Sequence, residues 1–356
     1  MSDRYPSFCG HTLRAMAVAL FCISTTSTPA TAEEVVFASW GGAFQDALRS
    51  SMLDPAAEAL DITISEDTTN GIQDVRAQIS ADSVVWDITE QALDVCVQLK
   101  NEGALEALDY TVISTDGIPE GLVDSHWIGL LNYSLVIGWR SDRFGDSGPQ
   151  SWAEFWDIER FPGKRAMFGK VNHNLEAALM ADGVAHSEVN AVLQSPGGME
   201  RAFGKLAELA PHVSVWYRGG SQAAQLLRDG EVDLIHIGNG RAESIIADGA
   251  PVAYTWNQAT LDADCVLVPK GAPNREFAMK VINEMVSAES QARMAAAISY
   301  GPVNVTAFET GIVPADQAAK NNSAPENLAT QVILDPNFYV ENARILQEQF
   351  DILVQQ

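Results

Sequence analysis

Between residues 34 and 103 the chain alternates between two periodicities. "EVVFASW" (34–40) is β-rich, and "FQDALRSSMLDPAAEAL" (44–60) has helical spacing interrupted at Pro55. "DITISED" (61–67) reads as a strand, "IQDVRAQIS" (72–80) as a helix and "VVWDITE" (84–90) as a third strand. "ALDVCVQLKNEG" (92–103) reads as a helix stopped by glycine. So regular an alternation predicts an α/β fold, a parallel sheet with helices on its faces. Ligands of such sheets gather at the carboxyl ends of strands, where Trp40, Gly41, Thr89 and Glu90 fall. The stretch "ASWGGAFQDAL" (38–48) is odd at such an end, because a turn needs no tryptophan and packing needs no glycine pair. Ser39, Trp40, Gly41 and Gly42 therefore stand as candidate ligand residues, with glycine N–H groups free to reach a bound molecule.

A second unit opens after "YSLVIGWRSDRF" (133–144), long enough to cross between domains. "SWAEFWDIERF" (151–161) is predicted helical, "KRAMF" (164–168) a strand, and 175–184 and 197–211 further helices. Residues 213–256 again run strand, helix, strand, helix, strand. Within them Gly219, Gly220 and Ser221 begin a helix, and free N–H groups with a nearby hydroxyl suit an anion. "LDADCVLVPKGAPN" (261–274) reads as an edge-like strand and a turn before two helices. The stretch 326–354 reads as helical, broken at Pro336.

The chain has 356 residues, which predicts two domains. Residues 1–32 are expected to be a signal peptide: a basic start, the short apolar "AMAVALFCI" (15–23), and "TPATA" (28–32) with cleavage after Ala32. Cys22 follows bulky Phe21, a poor fit to lipid-linked processing. The net charge of −25 speaks against a nucleic-acid partner and is compatible with a cationic ligand. Cys96 and Cys265 follow the leader in a compartment that permits a disulfide, but spacing says nothing about their proximity. GxSxG, HExxH and CxxC are absent from the sequence. "GKRAMFGKV" (163–171) fails as a P-loop because Val171 replaces the hydroxyl, and "GNGRAE" (238–243) lacks the third glycine of a dinucleotide fingerprint. His173 and Glu176 are read as a capping or surface pair, so no metal and no cofactor is expected. Asp262 and Asp264 alternate along a strand and point the same way. With His173 they supply the competing expectation of an exported enzyme with an interdomain cleft.

"FASWGGAFQDAL", "DCVLVPKGAPNREFAMKVINEMVSAESQARM" and "SYGPVN" resemble the polyamine-type solute-binding proteins of ABC importers over essentially the whole chain after the leader. The resemblance implies a two-lobed periplasmic-binding-protein fold of type II. Each lobe would be a mixed, mainly parallel sheet flanked by helices, and the ligand cleft would lie at the hinge. Lobe 1 is expected over 33–137, lobe 2 over 138–256, and a return to lobe 1 with C-terminal helices over 257–356. It further implies a periplasmic, monomeric, non-enzymatic receptor that delivers a small charged solute to a permease and its ATPase. By the same resemblance Trp40 is an aromatic wall and Asp264 an ammonium-binding acid. The chain departs from the pattern at Gly41 and Gly42, and at Asn239 and Arg241, where relatives place acids. A guanidinium prefers a carboxylate, so these departures suggest a zwitterion or small carboxylate in place of a polyamine. The expected ligand residues are thus Ser39, Trp40, Gly41, Gly42, Glu90, Gly219, Ser221, Asn239, Arg241, Trp256 and Asp264.

Overall fold

The structure, a computed structural model, describes residues 33–355. The expected signal peptide lies outside the described residues. Eight strands carry the architecture: β1 (Glu34–Ser39), β2 (Thr63–Thr68), β3 (Ile88–Ala92), β4 (Trp127–Arg140), β5 (Arg165–Phe168), β6 (Val213–Tyr217), β7 (Leu234–Gly238) and β8 (Val252–Leu267). Two short ones join them, β9 (Gly301–Pro302) on β4 and β10 (Val332–Ile333) on β8. The order is β2-β1-β3-β8-β4-β7-β5-β6, with β1 parallel to β2 and β3, and β5 parallel to β6 and β7. The fold is the expected mixed α/β, two-lobed one.

Two strands make that division. β4 has 14 residues and β8 has 16, and at about 3.3 Å per residue each exceeds 40 Å, enough to serve both halves of the sheet. They run antiparallel. The registry breaks between Leu135, which faces Thr260, and Ile137, which faces Thr255, so 256–259 loop out of the ribbon. Gln258 takes a positive φ of 61° in that loop. Its amide oxygen and its carbonyl accept hydrogen bonds from the Trp152 backbone and indole N–H groups, both at 2.8 Å. The edge-like reading of 261–267 is corrected: this segment is central, paired with β3 on one side and β4 on the other. The acids that gave it a solvent-facing look, Asp262 and Asp264, are buried.

Separate cores lie on the sheet's faces. Phe37, Ile88 and Val266 pack with the helices Arg275–Met285 and Ala288–Ala297. Ala38, Trp86 and Leu267 pack with the helix Leu93–Asn101, where Cys96 is disulfide-bonded to Cys265 across a Cα separation of 6.7 Å. In the other half, Trp152, Met167 and Leu179 form one cluster, and Tyr217, Ile235 and Ile237 another. The C-terminal helix Pro336–Leu353 belongs to both halves. Phe338 and Phe350 join the Trp152 cluster, and Val340 packs against that of Cys96. Asp335 caps it, accepting the Asn337 N–H at 3.0 Å.

Three local expectations shift. Pro55 does not interrupt its helix: a π-helical turn, Arg49–Leu53, precedes Asp54–Leu60 and absorbs the N–H the proline cannot give. The helix at 151–161 stops at Trp156, because buried Arg165 donates to the carbonyls of Phe155, Asp157 and Phe161 and ends the ladder there. β3 starts at Ile88 because the Asp87 carboxylate takes the Val36 and Asn274 N–H groups, at 2.9 and 2.6 Å, ahead of the strand.

Candidate functional site

β1 ends at Ser39, and the next three residues set one wall of a cleft. Gly41 and Gly42 have φ of 74° and 65°, which side chains rarely tolerate. The helix Gly42–Leu48 can therefore start at once and leave Trp40 proud of the surface, 40% exposed. The Gly41 N–H donates to Gln45 Oε1 at 3.0 Å, so this donor, expected to be free for a ligand, is spent within the protein.

Behind Trp40 lies a pair of carboxyls. Glu90, on β3, is fully buried; its Oε2 accepts from Ser39 Oγ at 2.6 Å and its Oε1 has no partner among the described residues. Asp264, on the neighbouring β8, stands close enough to Glu90 and to the Trp40 side chain for both to shift its ionisation. Burial pushes Glu90 up to about 8. Burial, then the charge of Glu90, lifts Asp264 well above the usual carboxylate range. Two acids in so dry a site hold protons until a cation displaces them.

A second acidic group stands beside the crossing strands. Asp262 Oδ2 accepts from Tyr133 at 3.0 Å, and burial, then Asp94, raises it to about 7. Glu176 Oε1 accepts from Tyr339 at 2.6 Å, its Oε2 is unpartnered among the described residues, and burial raises it to about 7. His173 Nδ1 lies 2.8 Å from Thr260 Oγ1. Burial, then Lys170, lowers its pKa to about 3, so the ring is neutral and its 3.9 Å approach to Asp262 is no ion pair. His173 and Glu176 thus serve different partners and do not form a surface pair. Among the described residues no cluster of His, Cys, Asp and Glu could hold a metal ion.

Gly219, Ser221 and Arg241 stand together in the other half of the sheet. Gly219 precedes the helix Gly220–Arg228, whose start has no side-chain cap, and Ser221 is exposed. Arg241, in the first turn of the helix Asn239–Ala247, lies over this start: its Nε would stand 2.9 Å from a Cβ on Gly220. Arg241 makes no ion pair with any carboxylate of the described residues, and nearby Glu243 is engaged by the Tyr254 hydroxyl. Tyr300 connects the walls. It packs over Gly240, with its ring carbons 3.1–3.2 Å from where a Cβ would be. Its hydroxyl is raised mainly by burial, pulled back by Arg241, and raised by Asp264 and Glu90. The cation and the acid pair therefore act on one phenol.

The adjoining cleft has a volume of about 1000 Å³ and is lined by Trp40, Asp94 and Tyr133 on one side and Phe168, Lys170 and Arg218 on the other. Asn239 and Trp256 are placed elsewhere, on a 70 Å³ pocket. Asn239 Oδ1 accepts from the Ser134 N–H at 2.9 Å and its Nδ2 donates to the Ser299 carbonyl at 2.5 Å, so the amide is used up structurally. Trp256 belongs to the looped-out part of β8 and packs edge-on to Tyr254. Sequence reasoning passed over Asp94, Tyr133, Lys170, Arg218 and Tyr300. Asp94 was the findable one, an acid opening the helix directly after β3.

Two sheet halves joined by long crossing strands, with a cleft lined by Trp40, Asp94, Tyr133, Lys170 and Arg218 beside them, have the architecture of a solute receptor. The chain belongs to the bacterial extracellular solute-binding protein family, whose model matches residues 51–321. It is 29% identical over 325 residues to the gamma-aminobutyric acid-binding protein of Pseudomonas aeruginosa, covering 90% of this chain and 91% of that one. It is 40% identical to MotA of Agrobacterium tumefaciens B6, solved in complex with glucopine, with a TM-score of 0.83 over 90% of this chain and 99% of that one. The spermidine/putrescine-binding periplasmic protein of Escherichia coli is 23% identical over 220 residues, 59% of this chain and 61% of its own.

Proposed function

We propose that this protein is the periplasmic receptor of an ABC importer and captures a small solute carrying both an amino group and a carboxylate. The observation that carries the proposal is the Glu90–Asp264 pair beneath Trp40, with Tyr300 near both it and Arg241, which has no ion pair among the described residues. An ammonium displaces a proton from the buried acids and lies against the indole face. A carboxylate takes the Arg241 guanidinium and the uncapped N–H groups after Gly219. Two relatives fit this chemistry: one is named for γ-aminobutyric acid, an amine and an acid in one molecule, and MotA was solved with glucopine. The receptor would be exported after cleavage at Ala32, act as a monomer, and close its lobes over the solute before delivery to a permease and its ATPase. The registry break of the β4–β8 ribbon between Leu135 and Ile137 supports lobe boundaries near 137 and 256.

Calorimetry with γ-aminobutyric acid, putrescine and glutarate tests the reading. The amino acid is expected to bind at least tenfold more tightly than either, by about 1.4 kcal/mol; equal or tighter binding of putrescine would overturn it. A diamine is the second reading, favoured by one observation: Asp94 and Asp262 add acids near Tyr133 and Glu176 lies near Asp262, with Lys170 as the counter-charge.

A further inference from the structure

β7, β5 and β6 stand side by side in that order and run parallel, so their carboxyl ends open on one edge, where ligands of such sheets gather. A basic residue follows each end: Lys170 just past β5, Arg218 directly past β6, and Arg241 in the first turn past β7. Gly169 holds two of these ends together. Its N–H donates to the Tyr217 carbonyl at 2.7 Å, and a Cβ there would stand 2.7 Å from the same oxygen, an approach that only glycine permits. Lys170 and Arg218 therefore leave the ladder as neighbours, and like charges side by side on adjacent strands are destabilising. Both are exposed, and both line the cleft of about 1000 Å³. Neither meets a carboxylate among the described residues. That is unusual in a chain of net charge −25, whose other arginines mostly find an acid, as Arg49, Arg76, Arg140 and Arg160 do. Asp94, across the cleft, feels the charge of Lys170 without pairing with it. The Lys170 ammonium lies instead over the Phe168 ring, 5.8 Å from its centroid.

We infer that Lys170 and Arg218 form a second anion subsite beside Arg241, and that the solute is accordingly an amino dicarboxylic acid. The inference rests on the amine-and-carboxylate reading above and narrows it. Arg241 covers Gly220 in the segment that Arg218 opens, so the subsites adjoin. With the ammonium at Glu90 and Asp264 and one carboxylate at Arg241, a second carboxylate extends past Trp40 into the cleft that Trp40 also lines. Arg218 offers a carboxylate the forked, bidentate geometry it accepts, and Lys170 adds a point charge next to it. Phe168 and Trp216 line the same cleft and give the intervening methylenes an apolar surface. The cleft's volume is in the range that encloses a drug-sized ligand, and a four-carbon amino acid leaves most of it unfilled.

Matched ligand pairs test this by calorimetry on the full-length chain after the leader. Glutamate is set against norvaline, 2-aminoadipate against norleucine, and 2-aminopimelate against 2-aminoheptanoate, each pair differing only in a terminal carboxylate. In at least one pair the dicarboxylate is expected to bind about tenfold more tightly or better. Lys170→Gln and Arg218→Gln should each cut that advantage about threefold to tenfold, and together abolish it, while leaving the monocarboxylate unchanged. Added salt should also shrink it, because both cations are exposed. Lys164→Gln removes an exposed charge at the amino end of β5, away from the cleft, and should alter neither ligand. Equal binding within all three pairs, or an advantage that survives in the double variant, would overturn the subsite and leave the amine-and-carboxylate reading standing. Failure of all six ligands would overturn the subsite too, and that reading with it only if γ-aminobutyric acid is also not bound.

Discussion

The two walls of the cleft are made in opposite ways. On the β1–β3–β8 side, Glu90 and Asp264 are buried side by side, Glu90 accepting from Ser39, and both are held protonated by the dryness of their surroundings. On the other side, Gly219, Ser221 and Arg241 are exposed, and Arg241 has no ion pair among the described residues. On the proposed reading, the first wall is organised before any solute arrives and the second is completed by the solute. The acid wall should therefore set affinity and the cation wall selectivity.

The largest test strikes the acid wall. Asp264→Ala is expected to cost an amine-bearing solute about 100-fold or more, since losing one member of a buried charged contact removes about 2–5 kcal/mol. Calorimetry reads this directly, and a loss below tenfold would remove Asp264 from the site. Arg241→Ala should come next, weakening γ-aminobutyric acid by about 1.5–3 kcal/mol and leaving putrescine unchanged. Equal effects on both ligands would erase the division of labour. The third test is pH. Glu90 titrates near 4.5 when unfolded and near 8 when folded, so its contribution to stability is complete below about pH 4.5 and lost as pH rises through 8. The unliganded melting temperature should fall over that window, and Glu90→Gln should flatten the slope. Amine affinity should move the other way, rising about fivefold between pH 7 and 8 as the displaced proton becomes easier to remove; a flat profile would mean that Glu90 carries its charge already. The smallest test is Gly220→Ala. Its methyl would meet Arg241 Nε at 2.9 Å, and a shift of a flexible guanidinium should cost about threefold or less for the amino acid alone.

These unlike walls also explain what could be read from residues in order. Alternating periodicity marked the strands and helices around the acid wall, because each element is amphipathic within itself. The strand β8 read as an edge, since Asp262 and Asp264 mimic a solvated face; only the pairing with β3 and β4 shows that they point into a buried interior. Nothing local shows that Asn239 spends its amide on Ser134, more than 100 residues away, or that Trp256 leaves the ribbon. Tyr300 was hidden inside "SYGPVN", a stretch quoted for its family likeness, because its meaning lies in being near Arg241 and Asp264 together. Cys96 and Cys265 were individually visible, but their proximity depends on a strand crossing.

That crossing has a consequence for how the molecule comes into being. β4 finds its partner β8 only after more than a hundred further residues have been made, and β3 waits for the same strand. Neither half of the sheet can close early, and the bond between Cys96 and Cys265 must wait for the same return. Wiring of such long range slows the completion of the sheet.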